Sequence, residues 1–391
     1  MAQERHSPDE QLYRQLARSV IDGEGYARSG KPTAMVVPGF PLFLALLLRI
    51  APESHVFPFA ANVALSAVLA LAYGALLGLL TGRPRLGRWG AVGLFLWPPY
   101  IQYACALTTE MANTACLAVA LLCFERVRRN PERLGSWLGL GIFHACAFMI
   151  RPVVFLLTPV VLLWPLVESR FRPRAFVGAF LAGVTVLAIW LPWVIRNERV
   201  FGEFVPLTTY SGITLFAGTL KDFNNYHGPM ADVMAEHEIA NYFDDEVHSN
   251  RVMTRVGKER IGEDRGRYLW LSMTRAWRFW VHDYPWHREF MQRWRSADSP
   301  GDYLPLIGRP ALQLMSATLL ACLLVSLWLL RARRDCWPHM LLIVYYSVMH
   351  ALLFPIIRYS APVQGLALVL IAAAAAQVWE RRRAVERGTA D

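Results

Sequence analysis

FPFAANVALSAVLALAYGALLGLLT, residues 57–81, decides the fold class, because it runs for twenty-five residues without a charged side chain. A helix crosses the hydrocarbon core with ~20 predominantly apolar residues. Largely uncharged runs recur beyond it at 88–106, 111–124, 136–150, 153–168, 175–195, 311–330, 337–356 and 360–379. Some fall short of that length, 136–150 and 153–168 among them. A soluble chain has no need to repeat such runs, whereas in lipid the helix is the element that satisfies its own backbone. The composition agrees, at 55% hydrophobic and 18% charged over 391 residues. These observations predict an all-α polytopic membrane protein with about nine transmembrane helices.

The formal net charge of +10 raises the question of a nucleic-acid partner, and the placement of the charge answers it. Arginines gather between the apolar runs, at 83, 85 and 88, at 126, 128, 129 and 133, at 170, 172 and 174, at 331, 333 and 334, and at 381–383. Every second junction is basic, the pattern of cytoplasmic loops in a multi-pass protein, so no nucleic-acid partner is inferred. The alternate junctions, near Glu110, Pro152, 197–310 and Pro355, then face outside, and the C-terminus lies inside. The same alternation puts the N-terminus outside, and a preceding membrane helix beyond Met1 is expected to carry it across. The six cysteines lie in or beside apolar runs with no spacing that marks a disulfide framework or a zinc site.

Four regions follow from this layout: an external layer over 1–56, a first transmembrane bundle over 57–195, a partly helical external segment over 196–310, and C-terminal transmembrane helices with a cytoplasmic tail over 311–391. In the first layer Ser7 is placed to cap a helix, with Pro8 at its first position and Glu10 able to reach back. Leu12, Leu16 and Val20 repeat on one face, and Gly23 and Gly25 end the helix, which suits a membrane surface. The run after Pro38-Gly39-Phe40-Pro41 stops at Ile50 and fits an interfacial or re-entrant helix. In the external segment 244–282 reads as mostly helical, and Trp270, Trp277, Trp280, Trp286 and Trp294 place it near the interface.

The residues with chemical potential lie at the outer junctions. Asp9 and Glu10 complement a helix N-terminus, or one of them is a general base for an acceptor hydroxyl. Arg151, Arg196 and Arg358 each stand at the outer end of a run, where few cations are expected. Guanidinium groups bind phosphate bidentately; the alternative is pairing with acids or anchoring at lipid headgroups. Glu110 is either a second acid facing the site or a solvated turn residue. His350, near the outer end of its run, is a candidate for a phosphate or for a structural hydrogen bond, and His144 reads as a core histidine. Asp244-Asp245-Glu246 with His248 reads as a solvated helix start. No phosphate loop with its lysine, HExxH or GxSxG is present. No metal ligand set is indicated.

Asp9-Glu10-Gln11-Leu12-Tyr13, then Leu16-Ala17, Gly23-Glu24-Gly25-Tyr26 and Pro38-Gly39-Phe40-Pro41-Leu42-Phe43 together resemble the first external loop of class C membrane glycosyltransferases. The similarity is to the protein O-mannosyltransferase and aminoarabinose transferase group, family 39 or RgtA/B/C/D-like. Pro98 to Glu110, Ile150-Arg151-Pro152, Pro192-Trp193-Val194-Ile195-Arg196-Asn197 and Arg358-Tyr359-Ser360-Ala361-Pro362 continue it in order over most of the chain. The resemblance implies a class C bundle with external amphipathic helices and an inverting transfer of sugar from a polyprenyl-phosphate donor. The acceptor would be a hydroxyl on a glycan, lipid or protein at the external face of a bacterial inner membrane. It maps the catalytic acid onto Asp9 and a second acidic position onto Glu110. In the family a first transmembrane helix precedes the acidic motif, and here none does. No nucleotide cofactor is implied, since the lipid phosphate is already a leaving group, and a divalent cation is compatible without being demanded. The rival readings are a lipid or solute transporter, which would place polar residues at mid-span, and an inactive scaffold of the same fold.

Overall fold

A computed structural model describes residues 8–52, 54, 56–221, 227–281, 300–353 and 357–387, with backbone alone at 300–309 and 357. Ser7, Trp286, Trp294 and Pro355 lie outside the described residues. The chain is all-α apart from one small hairpin, and it divides into two compact units, Met1–Glu263 and Asp264–Asp391. The 196–310 segment is shared between them.

The first unit opens with α1 (Pro8–Ile21), the hairpin β1 (Ala27–Arg28) and β2 (Lys31–Pro32), and α2 (Gly39–Ile50). Pro8 starts α1 as its fixed φ favours. Gly23 and Gly25 take positive φ just past its end. Leu16 and Ala17 are fully buried, and Ala17 packs with Leu44, Ala45 and Leu48 of α2. α2 is too short to cross a bilayer, as its length in sequence predicts.

The bundle follows as α3 (Val56–Thr81), α4 (Pro84–Phe95), α5 (Pro98–Ala104), α6 (Thr109–Arg129), α7 (Leu134–Ile150), α8 (Thr158–Glu168) and α9 (Pro173–Phe201). The 88–106 run is two helices rather than one. Pro98 disfavours helical backbone at the residue before it, and Trp97 is accordingly extended at ψ 120°. The 153–168 run likewise begins as a 3-10 turn, Pro152–Leu157, before α8. Trp137 anchors the packing of α6, α7 and α9 among Phe124, Val127, Leu140 and Ala182. Gly178 makes this possible, because a Cβ there would stand 2.1 Å from the indole. After Gly202, whose positive φ terminates α9, come α10 (Ser211–Ala217), α11 (His227–Glu236) and α12 (Glu246–Glu263).

The second unit holds α13 (Arg265–Trp280), α14 (Pro300–Leu330), α15 (Trp337–Leu352) and α16 (Ala361–Glu386), with 3-10 turns at Arg334–Cys336 and Ile357–Ser360. Among the described residues four helical stretches are long and apolar enough to cross a membrane: Val56–Thr81, Pro173–Phe201, Pro310–Leu330 and Arg358–Glu386. They make the chain an integral membrane protein. Each of the nine apolar runs contains helix among its described residues, the 88–106 run as two pieces.

Within the first unit the basic junctions meet at one end of the bundle. Arg128 binds Glu168 through two nitrogens at 2.7 and 2.8 Å and Glu125 at 2.9 Å, tying α6 to α8. Arg129 caps the end of α3 through the Leu79 carbonyl at 2.8 Å. Arg172 and Arg174 reach Glu132 at 3.9 and 3.7 Å.

Candidate active site

At the opposite end of the first unit, Pro152 dictates the placement of Arg151. The proline stops α7 and leaves Arg151 extended at φ −139°, ψ 111°. Its guanidinium turns onto the first residues of α6, donating to Thr109 Oγ1 at 2.9 Å and to Glu110 Oε1 at 2.8 Å. Glu110 is 1% exposed, so it is neither a solvated turn residue nor an acid open to water. A carboxylate so buried is tolerated because a guanidinium balances its charge. Asn113, one turn further, donates to the Ala147 carbonyl at 2.8 Å and locks α6 to α7. Arg151 thus meets an acid, one of the alternatives its position leaves open.

The α1–α2 layer rests on this corner. Phe40, Ala112 and Ile150 form one buried cluster, with Tyr13 packed against it, and the Tyr13 and Phe40 rings meet edge to face at 5.0 Å. Gly39 admits the close approach, since a Cβ would stand 2.4 Å from the Met149 carbonyl oxygen. Asp9 lies one turn before Tyr13 on the same face of α1. Asp9 is half-buried. Glu10 is 8% exposed and ion-paired with Arg14 at 3.1 Å. The two acids therefore differ: Glu10 is committed within its own helix, and Asp9 is the more accessible.

Arg196 has another task. It donates to the Thr33 carbonyl at 2.9 Å, the Tyr26 carbonyl at 2.7 Å and Asn197 Oδ1 at 2.9 Å, and it lies over the rings of Tyr26 and Trp193. It holds a strap, residues 26–37, against the end of α9. Glu246 closes the strap from the far side, accepting from the Ala34 amide and from Thr33 Oγ1 at 2.8 Å. Thr209 donates its amide to the Ala34 carbonyl at 3.0 Å, and Lys31 pairs with Asp244 at 2.7 Å. The 244–248 cluster is a solvated helix start except at Glu246, which is buried against the strap. Glu246 is 4% exposed, whereas Asp244, Asp245 and His248 all face solvent, and Asp245 accepts from the His248 amide.

The strap's ionisable groups sense one another. Burial raises the Glu246 carboxyl above its usual range, opposed by its hydrogen bonds and by Arg196. Burial also raises the Tyr26 phenol, with Tyr13 and Glu246 adding and Arg196 opposing. Tyr13 thereby adjoins both the corner and the strap. No motif marks Tyr26, Thr33 or Thr209 as parts of this network; the acidity of 244–246 was its visible trace.

Arg358 and His350 belong to the second unit. His350 is buried, Nδ1 lies 2.9 Å from the Tyr346 carbonyl, and its ring stacks on Phe279 at 5.0 Å and Tyr346 at 5.6 Å. Such an aromatic stack is a structural setting. Arg358 lies over the Tyr359 ring at 5.4 Å. His144 is a core residue, 2.9 Å from Thr158 Oγ1. Among the described residues no group of three or more His, Cys, Asp or Glu side chains is arranged to hold a metal ion.

No family model and no curated protein matches the chain. Among solved structures it is similar to ArnT from Cupriavidus metallidurans bound to undecaprenyl phosphate, with 13% identity over 97% of this chain and 76% of that one, at a TM-score of 0.45. The apo state of the same protein gives 13% identity over 98% and 75%, at 0.42.

Proposed function

We propose that this chain is an inverting glycosyltransferase that moves a sugar from a polyprenyl-phosphate donor to a hydroxyl acceptor on a glycan, lipid or protein. The chemistry takes place at the end of the first unit opposite its basic junctions, which the positive-inside rule makes the external face. The observation that carries this is the corner itself: a buried carboxylate, Glu110, fixes a guanidinium, Arg151, beneath a surface helix whose first turn presents an accessible acid, Asp9. The distant likeness to ArnT adds nothing to it.

In this reading Asp9 takes the proton of the acceptor hydroxyl as its oxygen attacks the anomeric carbon. The bond from that carbon to the phosphate oxygen breaks on the opposite face, and the lipid phosphate leaves with the electron pair. Its developing charge is offset by Arg151, which Glu110 holds in place in advance. Glu110 is thus a positioning residue rather than a second base. Arg196 acts through the strap. The test is sugar transfer from a polyprenyl-phosphate sugar in membranes, at matched expression, for the wild type, Asp9→Asn and Glu10→Gln. Loss in Asp9→Asn with turnover kept in Glu10→Gln is the expected result. Full activity in Asp9→Asn would overturn the assignment and leave α1 a surface helix with an acidic cap.

A further inference from the structure

α3 and α4 touch backbone to backbone at two glycines. A Cβ on Gly74 would stand 2.6 Å from the Gly87 carbonyl oxygen, and one on Gly87 would stand 2.5 Å from that of Gly74. Beside this contact the small side chains of Ala67, Ala70, Ala75 and Ala91 leave an open groove of about 780 Å³, walled by Leu71 and Phe95. From Ala67 to Leu79 it runs about 18 Å along the helix, comparable to one leaflet of a ~30 Å hydrocarbon core. Packing explains the glycines. It does not explain the mouth.

The mouth lies at the basic end of the first unit, where Arg88 and Arg126 both line the groove. Their neighbours Arg128, Arg129, Arg172 and Arg174 are all engaged with carboxylates. Arg88 and Arg126 are exposed and form no ion pair among the described residues. Two guanidinium groups at the headgroup end of an apolar groove complement a phosphate attached to a hydrocarbon chain. We propose that the α3–α4 groove binds one phospholipid with a net anionic headgroup. A fatty chain lies along the small-residue floor and the phosphate against Arg88 and Arg126. The groove is at the opposite end of the unit from Glu110 and Arg151, so it stands independently of the transfer chemistry proposed above.

The test is native mass spectrometry of the full chain purified in detergent, titrated with phosphatidylglycerol or phosphatidylcholine of identical acyl chains. Phosphatidylglycerol is expected to be retained roughly 30-fold better, at about fivefold per arginine near an anionic group. Arg88→Gln with Arg126→Gln should abolish that preference. Arg85→Gln, on the same junction but outside the groove, should keep it, and Ala75→Trp should displace the lipid by filling the floor. Glycerol phosphate, which has the headgroup charge without the chains, should not compete. Equal retention of the two lipids by the wild type would reduce the groove to ordinary annular contact and overturn the proposal. So would a preference that survives the double substitution, retention unaffected by Ala75→Trp, or effective competition by glycerol phosphate.

Discussion

The two ends of the first unit spend their charges differently. At one end, arginines of two junctions share glutamates: Arg172 and Arg174 reach the exposed Glu132, Arg128 reaches the partly exposed Glu168, and Arg128 and Arg129 both hold the buried Glu125. At the other end two arginines are each held by several bonds. Arg151 is fixed to a glutamate with 1% exposure, and Arg196 to its neighbour Asn197 and to two carbonyls of a strap closed by a second buried glutamate. Many charges in water orient a chain in the membrane, whichever partners they find. Few charges in a dry setting need specific partners, and such arrangements mark places where geometry matters.

The largest effect should come from the end that carries Asp9 and Arg151. Asp9→Asn is expected to lower the rate of sugar transfer by ~10²–10⁴-fold. Arg128→Gln, at the other end, should leave the rate per folded molecule unchanged. Comparable losses in both would erase the distinction between the ends. Next in size is the buried pair. Glu110→Gln leaves the Arg151 charge without its partner and should destabilise the fold by about 3–5 kcal/mol. Glu110→Gln with Arg151→Gln should recover part of that loss, measured as chemical unfolding in detergent. A double variant as unstable as the sum of the two would mean the residues do not act as a pair.

Glu246 gives an effect that depends on pH. Its folded pKa lies above the value in the unfolded chain, chiefly through burial. Stability from this group is therefore complete below the ordinary glutamate pKa of about 4.3 and is lost as pH rises through the raised value. Protease cleavage within residues 26–37 should become easier across that window in the wild type. The dependence should flatten in Glu246→Gln, and an unchanged profile in the variant would assign it to another group. The smallest effect belongs to the basic end: Glu132→Gln should cost less than about 1 kcal/mol, since its partners stand far off in solvent. A larger loss would show that end to be structural in the same sense as its counterpart.

How much of this was legible in sequence follows the range of the interaction responsible. Charge-free length is a local property, so the nine helical runs were readable, as was the end of α7 at Pro152. The break at Trp97 was also local, but the apolar composition of 88–106 masked the proline signal. Glu246 was misjudged because its burial comes from Thr33 and Ala34, 213 and 212 residues earlier in the chain. Arg196 was recognised as out of place, yet its partners are largely backbone carbonyls, which any residue type supplies. Glu110 and Arg151 were each singled out. Their direct pairing depends on α6 and α7 packing side by side, which neither neighbourhood states.

The strap also imposes an order in time. Residues 26–37 leave the ribosome well ahead of Asp244 and Glu246, which hold them and are encoded more than two hundred residues later. At ~5–20 residues per second, roughly 10–40 s separate the two. Through that interval α3 to α9 can enter the bilayer while the strap still hangs unlatched beside them. A nascent chain arrested before residue 244 would carry every membrane helix of the first unit and lack the clasp. The strap is made before the bundle it rests against and is secured only after it, and until then it is open to proteases and chaperones.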